Sequence, residues 1–561
     1  MSKHVRLLID SVLLGVVGAL GAQLFLWMLR VAQGFFLHTL AGYEPTGLSD
    51  TGDVIHQVVG AHGLWLIPAV TALGGLISGM LVYSLAPEAE GHGTDTAVKA
   101  FHRTGGFLRA RVPPLKMVAS AVTIGSGGSA GREGPTALIS AGIGSIYGTF
   151  THRSDDERRL LVLIGMASGL SAIFRSPIGT AFFAIEVLYG TMTFEGRALV
   201  YTMLGSVVAY TINALFVGWE PLFRVPADLA PPGFYSYFWF AALGLLAGAG
   251  ATILPLVFYG LRDAFNRVPV PRQLKPAIGG LGVGLLALAW PQVLGGGYGE
   301  IQSAIDGKLI GGLLLVLVFA KMLAFALTVS SGGSGGVFAP TLFVGAMLGG
   351  FLAEISHHPP APFVVAGMAA FFGAAAHVPI ATLLMVTEMT GGYQLLVPAA
   401  LAVILSYVVQ SALTRPLRYN SLYEAQVPEP QDSPAHHHEQ LQAVLKLLNE
   451  RRLAVPPDVS HVDLRTLLTA GIPVELPDDK QLVFGTLRAE SAYVGQPASM
   501  GFPPAAESDS ELVAVLRDGH TLLPHPGLEL RARDGLLAIV SPEWRERLQE
   551  HLDTSQSGDS G

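Results

Sequence analysis

Residues 125–135 read GSGGSAGREGP, and this stretch decides the fold. Five glycines surround one ionisable pair, Arg132 and Glu133, inside otherwise apolar sequence. Charged side chains at bilayer depth are tolerated where they line a cavity or pathway, and unwound glycine-rich backbone only where protein or water satisfies its N–H groups. The combination therefore marks a site. It also recurs: GGSAGREGPTALISAGIG from Gly127 returns as GGSGGVFAPTLFVGAMLG from Gly332. A second block, GMASGLSAIFRSPIGTAFFAIEV from Gly165, pairs with GMAAFFGAAAHVPIATLLMVTEM from Gly367 at nearly the same offset. The chain is a duplication. Paired glycine-interrupted apolar segments in two halves point to an inverted-repeat transport protein whose site lies where the broken helices meet.

Composition agrees. Of 561 residues, 50% are hydrophobic and 14% charged, against roughly a quarter charged in soluble domains. Runs such as SVLLGVVGALGAQLFLWML from Ser11 and LLVPAALAVILSYVVQSAL from Leu395 approach the roughly 20 residues that cross a bilayer. The expected fold is an all-α polytopic membrane protein with broken helices, followed by a small α/β domain. Lys3 and Arg6 before the first span place the N-terminus in the cytoplasm by the positive-inside rule. Zero cysteines exclude disulfides, metal thiolates and cysteine nucleophiles, and a net charge of −8 gives no case for nucleic acid.

In chain order, residues 1–425 form the transmembrane domain, with repeats over about 10–215 and 234–425. GYEPTGLSDTGD from Gly42 reads as an external loop. In GHGTDT from Gly91, a helix begins after His92 with Thr94 or Asp95 as its N-cap. Glu186 and Glu388 end matching apolar runs; functional acids and helix caps are equally open readings. Residues 426–469 are a linker and helical segment, in which His436, His437 and His438 read as solvated rather than metal-binding. Residues 470–552 alternate short apolar strands with Asp518-Gly519 and Asp534-Gly535 hairpin signals, then end in a short helix, WRERLQEHL. Residues 553–561 are a disordered tail.

Glycine-flanked amides at a helix N-terminus make an anion site, and two facing copies make a better one. In the first copy Glu133 stands where the anion is attracted. A carboxylate there competes with the anion and can act as a gate that swings away or is protonated. In the second copy Phe338 holds the matching place, so the site is symmetric in fold and asymmetric in chemistry. A competing enzyme reading takes Ser129 in Gly127-Gly128-Ser129-Ala130-Gly131 as a nucleophile elbow of an intramembrane protease. Ser334 repeats the pattern, no strand precedes either serine, and the chain is read as no enzyme.

At this point GREGP at 131–135, GGVFAP at 335–340, EMTGGYQLLVP at 388–398 and RPLRYNSLY at 415–423 resemble the CLC chloride channels and transporters over about residues 10–425. The resemblance implies a homodimer with one anion pathway per subunit in the lipid bilayer, bound chloride ions and no other cofactor. It assigns Glu133 as the external gate with Gly131, Arg132 and Gly134 around it. It further implies that the Val337 and Phe338 amides and the Tyr419 hydroxyl contact a central anion. Two departures follow. His92 replaces the serine of the family's GSGIP signature at the inner end, and an imidazole can bind an anion and carry charge near neutral pH. Val187 stands where proton-coupled members carry an internal glutamate, so a passive channel is expected; the alternative is a chloride/proton antiporter in which Glu186 substitutes as relay. Residues 470–552 resemble the TrkA-C regulatory module, which implies a cytoplasmic domain that takes a small-molecule or nucleotide ligand, a cyclic dinucleotide being one option. The fused module favours a prokaryotic inner membrane, with both termini cytoplasmic.

Overall fold

The computed structural model describes residues 3–48, 54–192, 195–226 and 233–428, and shorter stretches between 433 and 553. The chain divides into two compact units, Met1–Pro428 and Glu429–Gly561.

The first unit is helical. Its first eight α-helices are α1 (Lys3–Gln33), α2 (Ile67–Leu85), α3 (Thr94–Arg103), α4 (Val112–Gly125), α5 (Glu133–Phe150), α6 (Asp155–Phe174), α7 (Pro177–Glu186) and α8 (Leu199–Val217). A second eight follow: α9 (Ser236–Arg267), α10 (Lys275–Ala289), α11 (Tyr298–Ile305), α12 (Gly312–Ser330), α13 (Phe338–Ile355), α14 (Pro360–Ala375), α15 (Pro379–Thr390) and α16 (Leu396–Thr414). Seven helices among the described residues are long and apolar enough to cross a bilayer. α4, α7, α14 and α15 are apolar but shorter. Proline in the first turn sets where α7 and α15 begin, because the missing N–H is one the helix start leaves unpaired anyway.

Matched helices pack antiparallel, which is the inversion the sequence predicts. On α2, Gly75 and Gly79 lie against Pro276 and Gln273; on α10, Gly280 and Gly284 lie against Thr71 and Pro68. An added Cβ at Gly75 or Gly280 would stand 2.1 or 2.3 Å from a backbone oxygen of the other helix. Small residues give helices in lipid this close approach, where packing rather than water drives association. Gly345 and Gly367 join α13 to α14 in the same way.

The loop from Gly42 holds two short antiparallel ribbons, Tyr43–Glu44 with Val58–Val59 and Gly47–Leu48 with Val54–Ile55. In the second unit, strands Gln481–Leu487, Gly535–Val540 and Glu511–Arg517 make the centre of an antiparallel sheet. Arg517 pairs with His520 across the 518–519 connection, whose own two residues lie outside the described ones. Asp534-Gly535, expected as a second hairpin turn, instead enters the central strand. Its buried Asp534 carboxylate takes Arg517 Nε and Nη2 at 2.8 and 2.7 Å. The three histidines 436–438 and the tail 554–561 also lie outside the described residues.

Candidate functional site

The two broken helices meet where the repeats predict. Gly127 and Gly332 hold matching left-handed backbone, φ +99° and +98°, which reverses the chain ahead of α5 and α13 and favours glycine. The loops are then sewn together: Gly131 N–H donates to Gly336 O and Gly336 N–H to Gly131 O, both at 2.7 Å. The heads of α5 and α13, with their first-turn N–H groups that no helix satisfies, are thereby fixed side by side. Because the Gly131 amide is taken by Gly336, it is not free to hold an anion. Gly131 serves by leaving room, since a Cβ there would stand 2.1 Å from Glu133 Oε2.

Glu133 folds back over Gly131 into this joint. It is buried; neither carboxylate oxygen reaches full hydrogen-bond geometry, but the N–H groups of Glu133 and Ala339, at the heads of α5 and α13, act on it. The Arg132 Nε is 3.9 Å from Oε1, and the Arg132 guanidinium stacks 4.5 Å over the Tyr298 ring. Beyond Arg132 opens a cavity of about 510 Å³, lined also by Arg30, Gln33, Glu44 and Arg175. Phe338 meets Phe372 and Phe174 with ring centroids 4.2 and 4.3 Å apart, an aromatic wall; Val337 precedes it as the buried N-cap of α13. Gly134 sits where the halves touch, 2.1 Å from its notional Cβ to His92 O.

His92 occupies the other end of the joint. Its loop is held by Lys116 of α4, whose Nζ donates to Ala89 O at 3.0 Å and Gly91 O at 2.6 Å. Neither Thr94 nor Asp95 caps α3: Gly93 is the N-cap, with no side-chain bond. Asp95 instead reaches Ala425 N–H with Oδ1 at 2.9 Å and His92 Nε2 with Oδ2 at 3.8 Å. The tyrosine that joins His92 is Tyr423, ring centroids 5.4 Å apart, with Glu133 among the charges that act on its hydroxyl. Tyr419, expected there, stacks on Tyr259 at 4.1 Å and accepts from Arg262 at 3.2 Å. Two tyrosines lie four residues apart in RYNSLY, and the fold of the segment after α16 separates them.

Glu186 and Glu388 are reciprocal caps. Glu186, last in α7, accepts from Ile380 and Ala381 N–H at the head of α15, at 3.2 and 2.6 Å. Glu388 of α15 accepts from Ile178 and Gly179 N–H and Ser176 Oγ at the head of α7. Val187 is fully buried beside Glu186. Ser129 Oγ is buried without a hydrogen-bond partner among the described residues, and Ser334 Oγ is bound to Ser120 Oγ at 2.8 Å and Ala89 O.

Sequence reasoning passed over two fully buried lysines, Lys116 and Lys321. Lys321 of α12 repeats Lys116, donating to Val293 O and Gly295 O at 2.9 and 2.8 Å. Each is a lone cation in an apolar run, at the same offset between repeats as the glycine stretches.

Residues 74–411 match the family described as voltage gated chloride channel. The voltage-gated ClC-type chloride channel ClcB of Salmonella dublin is 31% identical over 434 residues, 76% of this chain and 99% of that protein. The H(+)/Cl(−) exchange transporter ClcA of Cronobacter sakazakii is 31% identical over 364 residues, 61% of this chain and 78% of that protein. Among solved structures, a CLC-type fluoride/proton antiporter superposes with a TM-score of 0.64 at 22% identity, covering 76% of this chain and 99% of that one.

Proposed function

The chain belongs to the voltage-gated chloride channel (CLC) family, and from that premise we propose that it carries chloride or a related anion across a bacterial inner membrane in exchange for protons, with Glu133 as the shared gate. The observation that carries this reading is the Glu133 carboxylate, buried between the heads of α5 and α13 without full hydrogen-bond geometry at either oxygen. An anion and this carboxylate compete for one set of helix N-termini. Protonation removes the charge that holds Glu133 there, and the anion takes its place beside the Phe338 ring. One group therefore binds either the proton's charge or yields to the anion's, which is what coupling requires. Arg132 and its cavity form the outer mouth; His92 and Tyr423 contact the anion at the inner end, which the positive-inside rule puts in the cytoplasm. Exposed apolar residues on α8 and α16, among them Val207, Leu215, Ile404 and Val408, supply a face for a second copy of the chain.

A second reading, passive conduction, is favoured by Val187, whose aliphatic side chain relays no proton, and by relatives named as channels. Reversal potentials of the reconstituted protein separate the two. Exchange predicts a shift with an imposed pH gradient at symmetric chloride; a potential that follows chloride alone overturns it in favour of the channel.

A further inference from the structure

Buried histidines in this fold are bonded at the ring. His377 has Nδ1 on Gly190 O at 2.8 Å and Nε2 on Gln410 Oε1 at 2.7 Å, and His102 has Nε2 on Leu188 O at 2.9 Å. His92 differs. It is 7% exposed, its Nδ1 is buried with no partner, and its Nε2 looks at Asp95 Oδ2 across 3.8 Å. An unmade bond on a buried ring nitrogen is costly, and it leaves Nδ1 open to a proton acceptor. Asp95 in turn keeps 25% of its side chain accessible while Oδ1 is anchored on Ala425 N–H. Solvent, carboxylate, imidazole and an open nitrogen are thus in series.

The surroundings oppose a lasting positive charge on the ring, because Lys116 and Arg262 both face it as cations, so the ring passes a proton on without storing it. From α4, Lys116 faces His92 but is bound to Ala89 O and Gly91 O. From α9, Arg262 is bound to Glu424 at 2.6 Å and to Tyr419, and Phe258 closes the side. From the segment after α16, Tyr423 packs on the ring, its hydroxyl acted on by Thr94, Asp95 and Glu133. From α5, Gly134 touches the His92 carbonyl one residue from Glu133.

We propose that Asp95 and His92 form a proton-binding pair that loads from the solution at the His92 end and passes protons along the Tyr423 side toward Glu133, in place of a carboxylate at Val187. Protonated Asp95 gives its proton to Nε2, and His92 releases the proton on Nδ1 toward water or the Tyr423 hydroxyl. Water then carries the Nε2 proton round to Nδ1, which restores the first tautomer, and Asp95 takes a new proton from solution; no bond but N–H and O–H changes. The anion and proton routes share this inner end and diverge only in which ring edge they use.

The inference rests on the exchange reading, and one experiment distinguishes their failures. Full-length protein in liposomes is given a chloride gradient, and proton and chloride fluxes are recorded together. In Asp95→Asn and His92→Gln the protons moved per chloride should fall by about tenfold or more, the scale of losing a positioned proton-transfer group. Asp95→Glu should keep most of the ratio. Wild type that moves no protons overturns the exchange reading and this inference with it. A wild-type ratio retained in both variants overturns the pair alone, as does a parallel loss of both fluxes, which marks a structural role. Loss of the ratio in His102→Gln with His92→Gln unaffected overturns it in favour of a route beside Val187.

Discussion

The loops 91–95 and 295–299 are one device used twice. Each begins at a left-handed glycine, each is pinned by a lysine from the matching helix through two backbone carbonyls, and each opens a short helix, α3 or α11. Their side chains differ completely. The first presents His92 with Asp95 behind it; the second presents Gly296, with Tyr298 turned to stack under Arg132. Duplication has fixed the scaffold, and substitution on the pinned loops has given the pathway two unlike ends.

The largest effect expected is at Gly134, where the joint between the heads of α5 and α13 leaves no room. A methyl at Gly134 would stand 2.1 Å from His92 O and 2.9 Å from Gly336 Cα, backbone on both sides. Gly134→Ala should abolish folded protein, read as loss of the monodisperse peak in detergent. Gly91→Ala meets nothing within 4 Å and carries only its positive φ of 68°. That should cost about 1 kcal/mol. Equal recovery of the two variants would break the picture of a shared joint.

Next comes the chemical asymmetry at the heads of α5 and α13. Only α5 brings a carboxylate, so external acid should raise anion flux by protonating Glu133, up to about tenfold per pH unit while the group titrates. Glu133→Gln should be fast and flat with external pH. A Gln variant that keeps the wild-type profile removes Glu133 from the gate.

The reciprocal caps test whether symmetry is also energetic. Glu388 serves two amides and a hydroxyl, Glu186 two amides. Glu388→Ala should therefore lower stability by about 2 kcal/mol and Glu186→Ala by somewhat less, measured by denaturant unfolding in detergent. If Glu186→Ala changes proton flux at unchanged stability, its role is a relay and not a cap.

Much of this was legible in the sequence because lipid makes irregular backbone expensive. Glycines and a charged pair inside an apolar run have few explanations, and their recurrence as Gly332–Phe338 located the second half of the site. The buried lysines were equally visible as charges at a matching offset, but the carbonyls they hold come from loops about 25 residues away in sequence, and no local pattern names them. Asp95 looked like a cap because Asp is common there; the Ala425 amide that captures it lies over 300 residues on. The choice between Tyr419 and Tyr423 was beyond the sequence for the same reason.

That choice yields the smallest effect and the sharpest discrimination. Tyr423 packs on His92, is 3% exposed and lies within the field of Glu133, whereas Tyr419 spends its hydroxyl on Arg262 and its ring on Tyr259. Removing one hydroxyl that donates to a bound anion should cost about 1 kcal/mol, or roughly fivefold in affinity. Titration calorimetry with chloride should show that loss in Tyr423→Phe. Tyr419→Phe should bind chloride as wild type does, because its ring stays between Tyr259 and Arg262 and Arg262 keeps Glu424. The opposite ranking would return Tyr419 to the pathway and would require the segment after α16 to shift by four residues, carrying Ala425 off Asp95. Tight binding in both variants would instead put the anion at the Glu133 side of the joint alone, leaving His92 to the proton.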